Sequence, residues 1–391
     1  MKYCSQCVYP TVAVNLELDG DICSACLSAN ESSPGEVNWD IRAEEFRVLA
    51  ETAKQSQGNY DCIIPVSGGK DSYFQTHMAL EYGLKPLLVT YHGNNYLPEG
   101  DYNRDRMRDV FDADHIVMGP SVDVLKKMNR LGLRKMGDMN WHAHCGIFTY
   151  PMQLAVKLNV PLVIWGEIPW DISGMHSVND KVEFSNRTRR EHGLRGFEWS
   201  DFVGDTRDPL TEKDLLWAKY PEDSDAQRVG LRGVYIGNYF PWDANVHAQL
   251  MIEKYGWQPA QKDFERTYRK ISNLDDRYEN GAHDLLKFVK FGYGRASDHA
   301  SKDIRAGIMT RAEGVEMVKK YDHVISSDLE YWLNYVDMTS TEFWKIADEF
   351  RDPRVWSIEN GEWVKDTVWG TRQSFGRVYL DQEKWGKYVS V

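Results

Sequence analysis

Tyr60-Asp61-Cys62-Ile63-Ile64-Pro65-Val66-Ser67-Gly68-Gly69-Lys70-Asp71-Ser72 decides the fold of this chain. Its first half is a short apolar run that reads as a buried strand, and Asp71 to Tyr82 follows as a helix. Between them stand two hydroxyls, two glycines, a lysine and an aspartate. A glycine-rich turn from strand to helix gathers backbone N–H groups at the positive end of the helix dipole, so it is built to hold an anion. An ordinary glycine turn needs neither Ser67 nor Asp71. The Gly-x-x-x-x-Gly-Lys-Ser/Thr spacing of a Walker A loop is absent.

Outward from this unit the pattern repeats. Lys85 to Tyr91 reads as a second strand, Asn103 to Phe111 as a helix, and His115 to Met118 as a third strand. Val122 to Met136 and Phe148 to Leu158 read as helices, and Pro161 to Trp165 as a fourth strand. Strands alternating with helices predict an α/β fold with a Rossmann-like parallel sheet covered on both faces. Such a sheet binds its ligand beyond the carboxyl ends of its strands, where the loop after Val66 lies. Upstream, Val37 to Gln57 has helical spacing, with Trp39, Ile41, Phe46 and Leu49 as the expected buried face. Past about residue 170 the strand signal fades. Helices are expected at Asp243–Tyr255, Gly281–Phe291, Arg311–Lys320 and Ser326–Val336, with a terminal hairpin from Trp356 onward. The chain thus divides into 1–35, a cysteine-rich module; 36–170, the nucleotide-binding α/β domain; and 171–391, a largely helical region completing the substrate site.

The 391 residues include 47 basic and 59 acidic side chains, a net charge of −12 that repels bulk nucleic acid and anionic membranes. No apolar run approaches the roughly 18 residues of a membrane span, and the start Met1-Lys2-Tyr3-Cys4 lacks the apolar stretch of a signal peptide, so the cytoplasm is the expected compartment. Six cysteines are too few for a disulfide scaffold. Four of them, Cys4, Cys7, Cys23 and Cys26, form two Cys-x-x-Cys pairs fifteen residues apart, a spacing that offers four thiolates to one structural Zn²⁺, with an iron–sulfur cluster as the lesser alternative.

Three further stretches carry chemistry. Trp141-His142-Ala143-His144-Cys145-Gly146-Ile147 precedes a predicted helix on the loop's side of the sheet. Its His and Cys suit a base and a nucleophile or metal ligands, and equally a buried capping turn. Gly166-Glu167 ends the fourth strand, where a backbone turn and a carboxylate can orient ATP or an incoming amine. Lys287 to Arg305 is the densest basic segment of an acidic chain; Arg295, His299 and Lys302 share a face if it is helical, and with Lys290 and Arg305 they suit pyrophosphate or a diphosphate-bearing substrate.

Ser67-Gly68-Gly69-Lys70-Asp71-Ser72 matches the PP-loop of ATP pyrophosphatases such as asparagine synthetase and the tRNA thiolases. That resemblance implies ATP split to AMP and pyrophosphate, with the loop gripping phosphates, Lys70 neutralising charge and Asp71 helping to hold Mg²⁺. The loop, Cys4-x-x-Cys7-Val8-Tyr9-Pro10, Cys23-x-x-Cys26, His144-Cys145-Gly146-Ile147, Gly237-Asn238-Tyr239-Phe240-Pro241-Trp242-Asp243 and Lys290-Phe291-Gly292-Tyr293-Gly294-Arg295-Ala296-Ser297-Asp298-His299 together resemble the N-acetyl sugar amidotransferases, from the first cysteine to about Tyr321. The resemblance implies a PP-loop ATP-pyrophosphatase fold with an N-terminal zinc knuckle. It also implies conversion of an acetamido to an acetamidino group on a bacterial surface-polysaccharide sugar. Together with the positions read above, Lys70, Asp71, Cys145, Glu167 and His299 are the expected catalytic set. No glutaminase signature is present, so a separate glutaminase subunit, with a cyclase-like companion resembling imidazole glycerol phosphate synthase, is the expected ammonia source. Two competing readings remain: a PP-loop tRNA sulfurtransferase, which Cys145 keeps open, and a non-catalytic zinc scaffold that senses ATP.

Overall fold

The computed structural model describes residues 1–13, 16–31, 37–56, 58–93, 96–166, 180–275 and 279–389. A small hairpin, β1 (Leu18–Asp19) and β2 (Ile22–Cys23), leads into helix α1 (Ser24–Glu31). Helix α2 (Trp39–Ala53) follows, capped by the Asn38 side chain accepting from the Ile41 N–H. Its buried residues are Arg42, Phe46, Ala50 and Ala53. Phe46 is as expected, but Ile41 is 56% exposed. The face is turned by Arg42, whose guanidinium donates to the Asn238 carbonyl at 3.1 Å, a buried use of charge that periodicity reads as solvent-facing.

The central sheet is built from β3 (Cys62–Pro65), β4 (Pro86–Tyr91), β5 (His115–Met118), β6 (Leu162–Trp165) and β7 (Arg232–Tyr235), in the order β5-β4-β3-β6-β7, every pair parallel. Helices α3 (Lys70–Glu81), α4 (Pro98–Phe111), α5 (Val122–Met136), α6 (Trp141–Leu158) and α7 (Asp223–Val229) lie between successive strands. Alternate residues serve the two faces: Ile64, Leu88, Ile164 and Val234 pack into one core with Phe46, Tyr73 and Met251, while Ile63, Leu87, Val89 and Val163 pack into another with Phe148 and Ala155. Burying each such aliphatic side chain contributes about 1.5 to 3 kcal/mol. Strand order reverses beside β3, so the crevice between the carboxyl ends of β3 and β6 is the place where a doubly wound sheet binds its ligand.

Two expectations change. The sheet does not end near residue 170: β7 supplies a fifth strand at 232–235, in register Leu162↔Arg232 through Trp165↔Tyr235. Four residues beginning Arg-Gly are too short to show a period. Helix α6 begins at Trp141 rather than Phe148 and contains Pro151, so the His142–Cys145 stretch is its first turn and not a loop before it.

Beyond the sheet come α8 (Ala244–Tyr255), α9 (Glu279–Phe291), α10 (Arg295–Arg305), α11 (Arg311–Tyr321), α12 (Asp328–Tyr335) and α13 (Ser340–Glu349). The terminal hairpin is present within a three-stranded antiparallel sheet of β8 (Ser357–Glu359), β9 (Glu362–Asp366) and β10 (Arg372–Arg377). Among the described residues no helix is long and apolar enough to cross a membrane.

Candidate active site

The loop after β3 folds as its composition requires. Gly68 adopts φ +85°, and a Cβ there would lie 2.6 Å from the Cα and N of Arg104, so both the left-handed backbone and the approach to α4 demand glycine. Gly69 is the N-cap of α3 and has no side chain to cap it. The Ser72 hydroxyl accepts from the Ser67 N–H at 2.9 Å, the Ser67 hydroxyl accepts from the Gly69 N–H at 3.3 Å, and Trp257 Nε1 donates to the Gly68 carbonyl at 2.9 Å. Lys70 Nζ sits 2.6 Å from Asp71 Oδ2. Burial pushes the Asp71 carboxyl up, but the Lys70 ammonium and His247 outweigh it and hold the group below the usual carboxylate range. Its other oxygen is buried, makes no hydrogen bond among the described residues, and stands 3.7 Å from His247 Nδ1. An ionised carboxylate oxygen left without a donor beside an anion cradle is the donor type that Mg²⁺ takes along with phosphate oxygens. His247 is fixed by stacking on Phe74 at 3.7 Å and by the edge of Trp242.

Ser67, Lys70, Asp71 and Gly166 line a cavity of about 1300 Å³. Gly166 has no room for a side chain against Gln75 and Trp242, which brings bare backbone to the cavity at the end of β6. Further lining comes from α9 and α10. Glu279, His283, Lys287 and Lys290 recur at helical spacing on the cavity side of α9, and Arg295, His299 and Lys302 do so on α10. Arg295 is paired to Asp284 at 2.8 Å, and Lys287 to Asp298. Lys290 donates to the Met136 carbonyl at 3.1 Å, and burial lowers its pKa.

His299 is corrected from a cation to a neutral imidazole. Burial and the charges of Arg269, Arg295, Lys302 and Lys70 push its pKa well down, and Nδ1 lies 2.6 Å from the Thr267 hydroxyl. Cys145 is fully buried with its thiol 3.5 Å from the Ala218 carbonyl, packed among Tyr91, Trp141 and Trp217, and does not line the cavity; burial pushes its pKa up, which disfavours the thiolate. Being on the first turn of α6, it points into the core while His144 points into the cavity. Arg305 also stays off the cavity wall, with its guanidinium 5.8 Å from the Tyr9 ring. Glu167 lies outside the described residues.

Several groups went unread in the sequence. Asp138 holds Arg195 at 2.7 Å and His283 at 2.8 Å, and Arg195 in turn contacts His144 at 2.5 Å. Burial and the Arg195 charge push His144 well below its ordinary pKa. Ser67 is hydrogen-bonded to Asp275, a second carboxylate at the loop. The four-residue rhythm from Glu279 to Lys287 was the one available signal; the other members come from separate segments.

The four cysteines are all buried, and their sulfurs lie within 4.8 Å of one another, with Cys7–Cys23 at 3.6 Å and Cys4–Cys26 at 4.0 Å. A tetrahedral metal with about 2.3 Å sulfur bonds requires such edges. The N–H groups of Cys7 and Cys23 donate to Cys4 Sγ, as expected where that sulfur carries thiolate charge. The module is not separate from the site. Arg311 donates to the Cys4 and Cys7 carbonyls, the Tyr9 hydroxyl donates to Asp298 at 3.1 Å, and Tyr9, Ala13 and Leu16 line the same cavity.

Sheet order, switch point and loop define a PP-loop α/β nucleotide-binding fold. Residues 265–368 match the family described as LPS biosynthesis protein WbpG-like, C-terminal domain. This segment contains Lys290 to His299, part of the pattern shared with the N-acetyl sugar amidotransferases, and the two agree. No curated protein matches the chain. Among solved structures, an NH3-dependent NAD synthetase from Campylobacter jejuni has a TM-score of 0.28 and 12% identity over 56% of this chain and 85% of its own. An NMN synthetase from Francisella tularensis has a TM-score of 0.29 and 12% identity over 56% of this chain and 96% of its own. The fold assignment stands on strand order and loop geometry, not on these two.

Proposed function

We propose that this protein is an ATP-dependent, AMP-forming amidotransferase of the C–N ligase type that converts an acetamido group of a surface-polysaccharide sugar into an acetamidino group. The observation that carries the proposal is the meeting of two segments in one cavity: the phosphate loop Ser67–Ser72, and a segment that matches a lipopolysaccharide biosynthesis domain. At about 1300 Å³ the cavity exceeds the roughly 300 to 1,000 Å³ of a single small-molecule site, which suits a nucleotide and a sugar held together. ATP supplies the activation: an amide carbonyl is a poor electrophile, and adenylylation of its oxygen turns that oxygen into a leaving group for ammonia.

In this reading the loop N–H groups and Ser67 and Ser72 hold phosphate oxygens, Lys70 neutralises charge, and Asp71 with its undonated oxygen ligates Mg²⁺. Arg295 and Lys302 attract the anionic parts of either substrate, and neutral His299 contributes hydrogen bonds rather than charge. Zn²⁺ in the knuckle is structural, since four thiolates leave no open coordination position. Ammonia arrives from a separate glutaminase subunit, with or without a cyclase-like companion, and the need for ATP places the protein in the cytoplasm. Sulfur transfer loses its support because Cys145 faces the core. The test is AMP and pyrophosphate release from Mg-ATP and ammonium salt, with and without acetamido nucleotide sugars. Sugar-dependent release, and a product lighter by about one mass unit as O gives way to NH, is expected; release that needs tRNA and a sulfur donor, or none at all, would overturn the proposal.

A further inference from the structure

We infer that Glu279 is the base that takes the proton from the attacking amine nitrogen, and that His142, Asn129 and Tyr91 hold it in place. The inference rests on the amidotransferase reading and adds a residue that reading leaves without a role.

Glu279 opens α9, is 1% exposed, and lines the cavity. Behind it lies a buried polar chain whose donors can be counted. Asn129 Oδ1 accepts from Trp332 Nε1 at 2.8 Å, and Asn129 Nδ2 donates to the Leu125 carbonyl at 3.0 Å and to Glu279 Oε1 at 2.9 Å. Both amide protons are thereby committed. His142 Nε2, 2.9 and 3.1 Å from the two Glu279 oxygens, must then be the protonated nitrogen that donates to the carboxylate, and His142 Nδ1 accepts from the Tyr91 hydroxyl at 3.0 Å. Asn129 and His142 both donate to Glu279. A chain of donors ending on one carboxylate fixes its orientation at the cavity wall.

Amidination needs such an acceptor. As the ammonia lone pair forms the C–N bond at the activated carbon, the nitrogen becomes cationic and must lose a proton before the carbon expels AMP rather than ammonia. That proton passes to a Glu279 oxygen. The C–O bond then breaks with its electron pair leaving on AMP, which keeps the former amide oxygen, and a nitrogen lone pair closes the C=N bond. Glu279 touches the reacting nitrogen and is catalytic; His142, Asn129 and Tyr91 are positioning residues.

The test separates the two half-reactions in the full-length protein. Sugar-dependent exchange of labelled pyrophosphate into ATP without ammonia reads activation, and ammonium-dependent product mass reads amidination. In Glu279→Gln the ratio of amidination to exchange should fall on the order of a hundredfold, the usual lower range for a general base. Hydroxylamine, whose nitrogen sheds its proton far more readily, should restore part of the ratio. His142→Gln should lower the same ratio by less, and it serves if Glu279→Gln does not fold. An unchanged ratio in the folded variants, whether or not both rates drop, overturns the inference. Absence of sugar-dependent exchange in the wild type instead overturns the amidotransferase reading, and this inference with it.

Discussion

The phosphate loop takes its site from six consecutive residues between β3 and α3, whereas another part of the cavity lining gathers Asp138, His144, Arg195, Glu279 and Lys290 from four separate segments. In the loop each residue's part follows from its neighbours: Gly68 turns left-handed, Gly69 caps, and two hydroxyls close the turn. In this assembled lining no residue's part follows from its neighbours. Asp138 matters because Arg195 and His283 arrive beside it, and Glu279 because His142 does. Local sites are therefore damaged by backbone changes within them, and assembled sites by loosening the elements that bring their parts together.

The sharpest way to break this contrast is Gly68→Ala. With its Cβ 2.6 Å from the Arg104 backbone, the loop must move, and an ångström-scale misplacement costs about a hundredfold in rate. AMP release should fall by at least that much, and wild-type turnover would show that the loop is not the nucleotide site. Lys70→Ala keeps the backbone and removes one charge-assisted contact, about 1.5 to 3 kcal/mol, so ATP turnover should drop roughly tenfold to hundredfold. Stripping the knuckle's metal with a chelator should act on the assembled wall. Tyr9 would loosen from Asp298, raising the sugar KM severalfold with little change in the KM for ATP, and amide exchange should quicken in residues 1–31 and in α10 and α11. Equal effects on both substrates would erase the distinction.

A smaller effect concerns the sheet. Burial and the nearby Arg104 charge lower His115 from 6.5 to about 4, with Nε2 2.8 Å from the Thr90 hydroxyl that donates to the Val66 carbonyl at the root of the loop. Between those values the unfolded state binds the proton and the folded state does not. Stability is thus full above pH 6.5 and is lost as pH falls through 4, by up to about 3 kcal/mol. His115→Gln should flatten that slope in denaturant titrations across this range. Smallest of all, Cys145→Ser should keep wild-type AMP release, because the side chain is 0% exposed and off the cavity; a large loss would return the thiol to the chemistry.

Four of the five central strands were legible because parallel strands buried on both faces read as continuous apolar runs, as Leu87-Leu88-Val89 does. The fifth, Arg232–Tyr235, was not, since its place depends on pairing with β6 seventy residues away. His144 and Cys145 stood side by side in the sequence as equals, and only the start of α6 at Trp141 sent one into the cavity and the other into the core.

By itself the sequence determined the phosphate loop, the thiolate set Cys4, Cys7, Cys23 and Cys26, and the helical stripe of Arg295, His299 and Lys302, because each depends on spacings of a few residues that one turn or knuckle converts directly into geometry. Only the tertiary structure decided that the knuckle borders the cavity, that His299 is neutral, and that Glu279 meets His142 across 137 residues of chain. Burial, charge state and long-range contact are properties of what surrounds a residue after folding, and no local pattern encodes them.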